Sequence, residues 1–215
     1  RLNEVLNHAL MPRRGPVHIN MSFCEPLYGI SSGYSGKERT ITLVRERQEL
    51  PEGVWDMLVR RFLEAPRVMI VAGFYPPDED VSVALRDICK FPHTVLFAES
   101  LSNIRTDTSI GTVDRVLAVA GEDESLYPEL LISFGGSLIS RMLKTFLRRA
   151  KPAEHWGIDE RFPAPDTFCA LTHHICTGAS GFWKEFAGRL KDKAPESLSP
   201  EGVSYAGSWQ KIKRK

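Results

Sequence analysis

A glycine-rich turn that ends in Ser140 and Arg141 is the part of the sequence best suited to bind a ligand. The run FGGSLISR over residues 134–141 follows a predicted strand and leads into a predicted helix. Glycines let the backbone turn tightly there, and free N–H groups at a helix start can hold an anion. The run lacks the G-x-G-x-x-G fingerprint, so it is weak evidence for a dinucleotide site. The simpler interpretation is a helix start with Ser137 as its N-cap.

A second polar run, AESLSNIR over residues 98–105, follows another predicted strand. Open α/β sheets place their ligands at the carboxyl ends of parallel strands. Arg105 could therefore face an active-site crevice or bind a regulatory anion. A solvated position or a salt bridge is the more ordinary role for an arginine in a loop, and it is the interpretation we favour.

Four possible metal ligands cluster near the end of the predicted sheet: Cys169, His173, His174 and Cys176. Their spacing does not match the paired Cys-x-x-Cys pattern of structural zinc sites, and the sequence has no second pair. His18 and Glu25 could do acid–base chemistry, but neither has a visible partner in the sequence. We therefore predict no metal site and no catalytic residue in this chain.

The elements that must position these residues alternate regularly between helix and strand from residue 51 onward. Apolar runs, typical of strands buried on both faces, predict strands at Val68–Ala72, Thr94–Ala98, Leu130–Phe134, His155–Ile158 and, shorter, Phe168–Leu171. Amphipathic segments predict helices at Pro51–Ala65, Asp80–Phe91, Thr112–Ala120, Leu138–Arg149 and Ala179–Lys191. This alternation predicts an α/β fold, a parallel sheet with helices on both faces.

Composition excludes several classes of function. Of the 215 residues, 42% are hydrophobic and 26% are charged, and the formal net charge is +1. Such a balance gives no electrostatic reason to expect binding to nucleic acid or to an anionic membrane. No apolar stretch is long enough to span a bilayer. The four cysteines are not spaced as a disulfide framework, which favours a reduced, cytoplasmic setting.

The run GPVHINMSFCEPLYG over residues 15–29 indicates a family. It closely resembles the segment that follows the first domain of the succinyl-enolpyruvyl-hydroxy-cyclohexene-carboxylate (SEPHCHC) synthases, thiamine diphosphate enzymes of menaquinone biosynthesis. The runs at 98–105 and 134–141 resemble further family motifs, with Ser100 in place of the usual proline and Arg141 where lysine is common. The resemblance covers nearly the whole chain and implies a piece from the middle of a longer enzyme.

The resemblance also implies an order of domains. Residues 1–20 would end a pyrimidine-binding domain. Within them, apolar residues at helical spacing from Leu2 to Leu10 predict a helix, and the apolar–polar alternation over Val17–Ile19 predicts a short half-buried strand. Residues 21–50 would be a connector, 51–194 the middle α/β domain, and 195–215 a linker toward the diphosphate-binding domain. Middle domains of this class have a three-layer, Rossmann-like parallel sheet of about six strands.

The resemblance implies an activity for the whole enzyme. It would decarboxylate 2-oxoglutarate on thiamine diphosphate, with magnesium or manganese, and add the succinyl unit to isochorismate. By its family position Arg141 would contact a carboxylate of isochorismate, which arginine can bind through two parallel hydrogen bonds. Ser140 and Arg105 are weaker candidates for the same pocket. The expected partners are the flanking domains and further copies of the full-length enzyme.

The cofactor is expected to lie outside this segment. Thiamine diphosphate enzymes need a glutamate from the pyrimidine-binding domain and a Gly-Asp-Gly motif for the diphosphate, and this sequence has no Gly-Asp-Gly. We therefore expect this chain alone to bind no cofactor and to be inactive. The other hypothesis is a regulatory module that binds a nucleotide or flavin, as middle domains of related enzymes such as acetohydroxyacid synthase do. Flavin colour or a thermal shift with nucleotides would distinguish the two.

Overall fold

A computed structural model describes residues 2–9, 15–22, 49–160, 165–193 and 204–214. The chain divides into two compact units, Arg1–Gln48 and Glu49–Lys215. Cys24, Glu25 and the second half of the family run at 15–29 lie outside the described residues.

The first unit contains the predicted amino-terminal helix, α1, at Leu2–Ala9. The strand predicted at Val17–Ile19 is wrong, because residues 15–22 form neither helix nor strand. A strand needs a partner for its backbone hydrogen bonds, and none of the described residues pairs with this segment. Val17 and Ile19 are exposed, so the alternation of apolar and polar residues does not reflect a half-buried strand here.

The second unit is built on one parallel sheet in the order β2-β1-β3-β4-β5. Its strands are β1 Val68–Ala72, β2 Thr94–Ala98, β3 Leu130–Phe134, β4 Glu154–Ile158 and β5 His173–Ile175. Every residue of β1 and β2 is buried, as expected for strands covered on both faces. The predicted parallel α/β architecture is confirmed, with five strands in the described residues where the resemblance implied about six.

In the part of the unit that the structure describes, six helices flank the sheet in two layers: α2 Glu52–Glu64, α3 Glu79–Ile88, α4 Val113–Ala120, α5 Arg141–Ala150, α6 Ala179–Leu190 and α7 Tyr205–Lys213. Helices α2, α3 and α6 share one apolar core with their face of the sheet. Helices α4, α5 and α7 share a second core with the opposite face. The fold therefore has three layers, as predicted. Within the described residues, no helix is both long and apolar enough to cross a membrane.

The last strand does not lie where the apolar pattern placed it. The sequence predicts a strand at Phe168–Leu171, but β5 begins at His173. Asp166 explains the shift, because its Oδ1 atom accepts hydrogen bonds from the backbone N–H groups of Ala170 and Leu171. Cys169 has a φ of 57°, a left-handed conformation far from the extended backbone of a regular strand. Phe168–Leu171 is therefore a turn.

Helix α7 was not predicted, since residues 195–215 were assigned to a linker. Tyr205 and Trp209 are buried, and the Trp209 ring packs edge-on against Phe97 of β2 with 5.0 Å between ring centroids. The Tyr205 hydroxyl donates a hydrogen bond of 2.9 Å to the carbonyl of Leu126. The second half of this segment is therefore part of the α/β core.

Candidate functional site at the carboxyl edge of the sheet

The loops that follow β1, β2 and β3 leave the sheet at one level. Ala72, the last residue of β1, pairs with Ala98 of β2 on one side and with Phe134 of β3 on the other. Helix α3 after β1 and helix α5 after β3 cover opposite faces. The gap between β1 and β3 is therefore a topological switch point, the position where open α/β sheets bind ligands.

Backbone hydrogen bonds close this switch point. The Gly73 N–H donates to the carbonyl of Phe134 (2.9 Å), and the Gly136 N–H donates to the carbonyl of Phe74 (2.7 Å). The approach requires glycine, because a Cβ atom on Gly73 would lie 2.2 Å from the Gly136 carbonyl oxygen. A cavity of about 140 Å³ lies beside these loops, and its volume is well below the roughly 300–1,000 Å³ of typical ligand pockets.

Glu99 occupies the anion-binding position that the glycine-rich turn suggested. Its side chain is buried, and its two carboxylate oxygens accept hydrogen bonds from the backbone N–H groups of Ser140 (2.7 Å) and Ile139 (2.8 Å). The N–H groups ahead of helix α5 therefore do hold an anion, but the anion is the protein's own carboxylate. This arrangement fastens the loop before α5 to the end of β2.

The sequence predicted that Ser137 is the N-cap of helix α5. This prediction is wrong, because the N-cap is Ser140. The Ser140 Oγ atom accepts a hydrogen bond of 2.9 Å from the Leu143 N–H and donates a short one to Asp114 at the start of α4. Ser140 is buried. Its hydroxyl thus ties two helix starts together, and its place in the proposed substrate pocket stays a prediction.

Arg141 is the first residue of helix α5 and is exposed at the carboxyl edge. Among the described residues its guanidinium forms no hydrogen bond or ion pair, and the first turn of α5 holds no acidic residue. A cation in the first turn is unfavourable to a helix, because the helix dipole is positive there. The position therefore does not serve the stability of α5, and it leaves all the donors of Arg141 available to a ligand.

Arg105 also lies at this edge, beyond the short 3₁₀ helix Ser100–Ser102. It is exposed and, in the part of the chain that the structure describes, has no salt bridge. Asn103 shapes this loop, since its backbone is left-handed with a φ of 54° and its side chain donates to the Tyr75 carbonyl (2.7 Å). Arg105 therefore sits on a loop, and Arg141 at a helix start, that neighbouring residues hold in place.

Sequence reasoning missed the roles of Glu99, Asp114 and Asn103. Glu99 was visible as an acidic residue directly after an apolar strand, but nothing in the sequence pairs it with residues forty positions later. Asp114 looked like an ordinary residue in the first turn of a helix. Their roles depend on how β2 and β3 are placed on either side of β1, which is a property of the sheet order.

The two histidines of the cysteine and histidine cluster after the fourth strand lie within hydrogen-bond distance of neighbouring polar groups. His174 Nε2 lies 2.9 Å from the Asp159 carbonyl, and His173 Nδ1 lies 2.9 Å from the Thr172 hydroxyl. No group of three or more potential metal ligands occurs among the described residues. These hydrogen bonds account for both histidines as structural residues around β5.

One buried histidine lies beneath the edge. The Nε2 atom of His155 on β4 lies 2.7 Å from the Ser133 Oγ atom on β3, and its Nδ1 atom has no partner among the described residues. Burial lowers the pKa of His155 to about 4, with a small opposing effect from Asp166. The imidazole is therefore neutral near pH 7, and it cannot serve as a second cation for an anionic ligand.

Comparison with known proteins supports the family resemblance. No family model matches the chain. It is 94% identical over all 215 residues to the 2-succinyl-5-enolpyruvyl-6-hydroxy-3-cyclohexene-1-carboxylate (SEPHCHC) synthase of Porphyromonas gingivalis, of which it covers 37%. It is 32% identical over 96% of its length to that of Flavobacterium psychrophilum, and 28% identical over its whole length to that of Flavobacterium johnsoniae.

The chain spans 36% and 39% of the lengths of those two Flavobacterium relatives. The resemblance first seen at residues 15–29, 98–105 and 134–141 is thus confirmed along the entire sequence, and the chain belongs, as a segment of little more than a third of their length, to the SEPHCHC synthase family.

Proposed function

We propose that this chain is the middle domain of a SEPHCHC synthase and that it presents Arg141 to a carboxylate of isochorismate. The whole enzyme would be a thiamine-diphosphate-dependent transferase that decarboxylates 2-oxoglutarate and adds the succinyl unit to isochorismate. In this proposal the segment supports the two flanking domains of a homo-oligomeric enzyme, and its own residues bind and orient substrate.

The position of Arg141 is the observation that carries this proposal. The side chain is exposed at the carboxyl edge without an ion pair among the described residues, at a helix end that disfavours its charge. The loop before it is held by Glu99 and the helix start by Asp114. A guanidinium can bind a planar carboxylate through two parallel hydrogen bonds, and here the backbone that carries it is already fixed.

The residues of this segment do not fit thiamine diphosphate or its metal ion. The N–H groups at the start of α5 that would suit a phosphate already bind Glu99. The sequence has no Gly-Asp-Gly motif, and the described residues contain no cluster of metal-ligating side chains. We therefore assign the cofactor to the flanking domains and expect the 215-residue chain to be inactive alone.

The same observations argue against the nucleotide- or flavin-binding alternative. Such ligands bind where β1 and β3 diverge, and hydrogen bonds between the Gly73 and Gly136 loops close that position here. A bound nucleotide would have to separate the two loops. No observation at the edge favours this alternative over a carboxylate ligand at Arg141.

The test is made in the full-length enzyme, with Arg141→Ala and Arg141→Lys variants. Loss of hydrogen bonds to a charged group, worth about 1.5–3 kcal/mol, should raise the KM for isochorismate about 10- to 100-fold in the alanine variant. The lysine variant keeps the charge without the paired geometry and should fall between. The KM for 2-oxoglutarate should not change.

Arg86→Ala is the matched control, because Arg86 is an exposed arginine in the last turn of α3, which runs toward the opposite edge of the sheet. An unchanged KM for isochorismate in Arg141→Ala would reject the role of Arg141. The purified 215-residue chain is also assayed with isochorismate, 2-oxoglutarate, thiamine diphosphate and magnesium. Turnover in this assay would reject the proposal that the cofactor is held by the flanking domains.

A further inference from the structure

Large apolar side chains are exposed together at the carboxyl edge. They are Phe74 after β1, Leu101 after β2, Ile139 after β3 and Met142 at the start of α5, with exposures of 56%, 45%, 63% and 41%. We call these four residues the carboxyl-edge patch. The other exposed large apolar side chains described between residues 49 and 215 are Val83 and Val119, single residues on helices α3 and α4.

Hydrogen bonds between the loops place the patch residues side by side. The Tyr75 N–H donates to the Leu101 carbonyl (3.1 Å), which joins the β1 loop to the β2 loop. The Phe74 N–H donates to the Ser137 carbonyl (3.3 Å), which joins the β1 loop to the β3 loop. Phe74 therefore lies between the loops of Leu101 and Ile139, on a surface whose backbone is already fixed.

Isolated exposed apolar residues are normal on a protein surface. Exposed apolar residues concentrated in three adjoining loops are different, because such patches mark interaction sites. Fixed loops strengthen this argument, since a preformed surface loses little conformational entropy when a partner binds. Phe74, Leu101 and Ile139 support no buried core of the unit itself, so folding of this unit does not explain their apolar character.

We infer that the carboxyl-edge patch is the docking surface for a domain of the same polypeptide that lies outside these 215 residues. This inference rests on the proposed function and names the partner of the same edge. The relatives supply the occupant, because this chain covers 37% of the length of the 94% identical synthase. Roughly two thirds of that polypeptide is available to cover the patch.

The patch also adjoins the proposed substrate contact. Ile139, Arg141 and Met142 are neighbours in sequence, and the exposed guanidinium lies beside exposed apolar side chains. A domain docked on the patch would shield a carboxylate bound to Arg141 from water. Removal of water strengthens a charged hydrogen bond. The hydrogen bonds between Arg141 and a bound carboxylate would therefore be stronger in the docked enzyme than in the isolated segment.

Methionine oxidation by hydrogen peroxide in the substrate-free, full-length enzyme tests the inference. Oxidation follows exposure, so a covered Met142 should react about tenfold more slowly than in the denatured enzyme, similarly to the buried Met69. Peptide mass spectrometry reads both sites in one sample. Oxidation of Met142 at nearly the denatured rate would show that the patch is uncovered and would overturn the inference.

Two charge variants separate docking from folding. Ile139→Asp should expose Met142 to oxidation in the full-length enzyme, because a docked surface would bury the new carboxylate without a partner. Val119→Asp introduces the same charge at an exposed valine of α4, away from the patch, and should leave Met142 protected. Equal protection of Met142 in both variants would contradict the inference.

A photo-activated cross-linking residue at position 74 identifies the occupant. A cross-link to a peptide outside the 215 residues, within a product of single-chain mass, is the expected result. A product of double mass would assign the patch to a second copy and overturn the inference. Because these readouts need no substrate, they can succeed where the Arg141 kinetics fail, or fail where those kinetics succeed.

Discussion

Hydrogen bonds hold the loops together at both edges of the sheet, but the two edges differ in the side chains that they expose to solvent. At the carboxyl edge, Arg105 and Arg141 lack ion pairs among the described residues, and the apolar patch is exposed. At the amino edge, the Arg67 Nε atom donates to the Tyr127 carbonyl (2.7 Å), and Arg61 pairs with Glu154 at 3.2 Å. No exposed large apolar side chain is found in the described amino-edge loops.

Helix α7 accounts for part of this difference. Its Ala206 N–H donates to the Pro92 carbonyl (3.0 Å), and the Tyr205 hydroxyl reaches the Leu126 carbonyl, both in loops that lead into strands. The amino edge is therefore completed by residues of this segment. The carboxyl edge has a fixed shape with unused donors and apolar surface, as expected for a surface that works with residues from elsewhere.

The largest effect should come from Gly73→Ala, which forces the carboxyl-edge loops apart. The new Cβ atom would lie 2.2 Å from the Gly136 carbonyl oxygen, a backbone atom that cannot move without breaking the loop-to-loop hydrogen bonds. We expect the free energy of unfolding of the 215-residue chain, measured in urea, to fall by about 3 kcal/mol or more.

Gly188→Ala is the matched control for this prediction. Gly188 lies within helix α6, and a Cβ atom there would meet nothing within 4 Å. Alanine favours the helix, so this variant should gain about 0.5–1 kcal/mol. If the Gly73→Ala chain were as stable as the original, the loops after β1 and β3 would not be held in close contact. The carboxyl edge would then not have the fixed shape described above.

The sequence predicted the elements that carry strong periodicity. Strands β1, β2 and β3 have the predicted bounds, because each is a mostly apolar run that is buried on both faces, with only Ser133 of β3 partly exposed. The glycine-rich turn was also predicted to join a strand to a helix, and residues 134–141 do join β3 to α5. The role predicted for Arg141 stays a prediction. Strands and strand-to-helix turns have local signals, so the sequence suffices to find them.

Features that depend on long-range hydrogen bonds escaped prediction. The N-cap moved from Ser137 to Ser140 because Glu99 and Asp114 hold the turn in place before α5 begins. Helix α7 had a usable signal in the helical spacing of Tyr205 and Trp209, but the family resemblance assigned residues 195–215 to a linker. Within this helix, Lys213 donates a hydrogen bond of 2.8 Å to the Ser109 carbonyl.

An intermediate effect is expected from His155, which lies between the edges. Burial lowers its pKa to about 4 in the folded chain, below the ordinary value of 6.5. Below pH 6.5 the unfolded chain therefore binds a proton that the folded chain does not, and stability falls as the pH drops toward 4. At 1.36 kcal/mol per pH unit, the loss from this residue approaches about 3 kcal/mol at pH 4.

Urea unfolding between pH 4 and 7, with His155→Gln as the comparison, measures this contribution. Glutamine does not titrate, so the variant should lose less stability toward pH 4 than the original chain. Burial also lowers the pKa of His93, near the amino edge, and this second histidine is present in both proteins. Identical pH profiles for the two proteins would show that His155 keeps its ordinary pKa.

The smallest changes in stability are expected from Glu99→Gln at the carboxyl edge and Tyr205→Phe at the amino edge. This pair also compares the two edges most directly. Glu99→Gln weakens charged hydrogen bonds at the carboxyl edge and should cost about 1.5–3 kcal/mol, whereas Tyr205→Phe removes one neutral bond at the amino edge and should cost about 1 kcal/mol. Both costs are read from urea unfolding of the 215-residue chain.

Their effects on the full-length enzyme should diverge more than their stabilities. Glu99 positions the loop that precedes Arg141, so Glu99→Gln should raise the KM for isochorismate severalfold, and Tyr205→Phe should leave it unchanged. If both variants raised this KM in proportion to their loss of stability, Glu99 would be a structural residue only. A change confined to Glu99→Gln would instead show that the carboxyl edge is held in shape for its ligand, since the amino-edge variant weakens the same fold without consequence for binding.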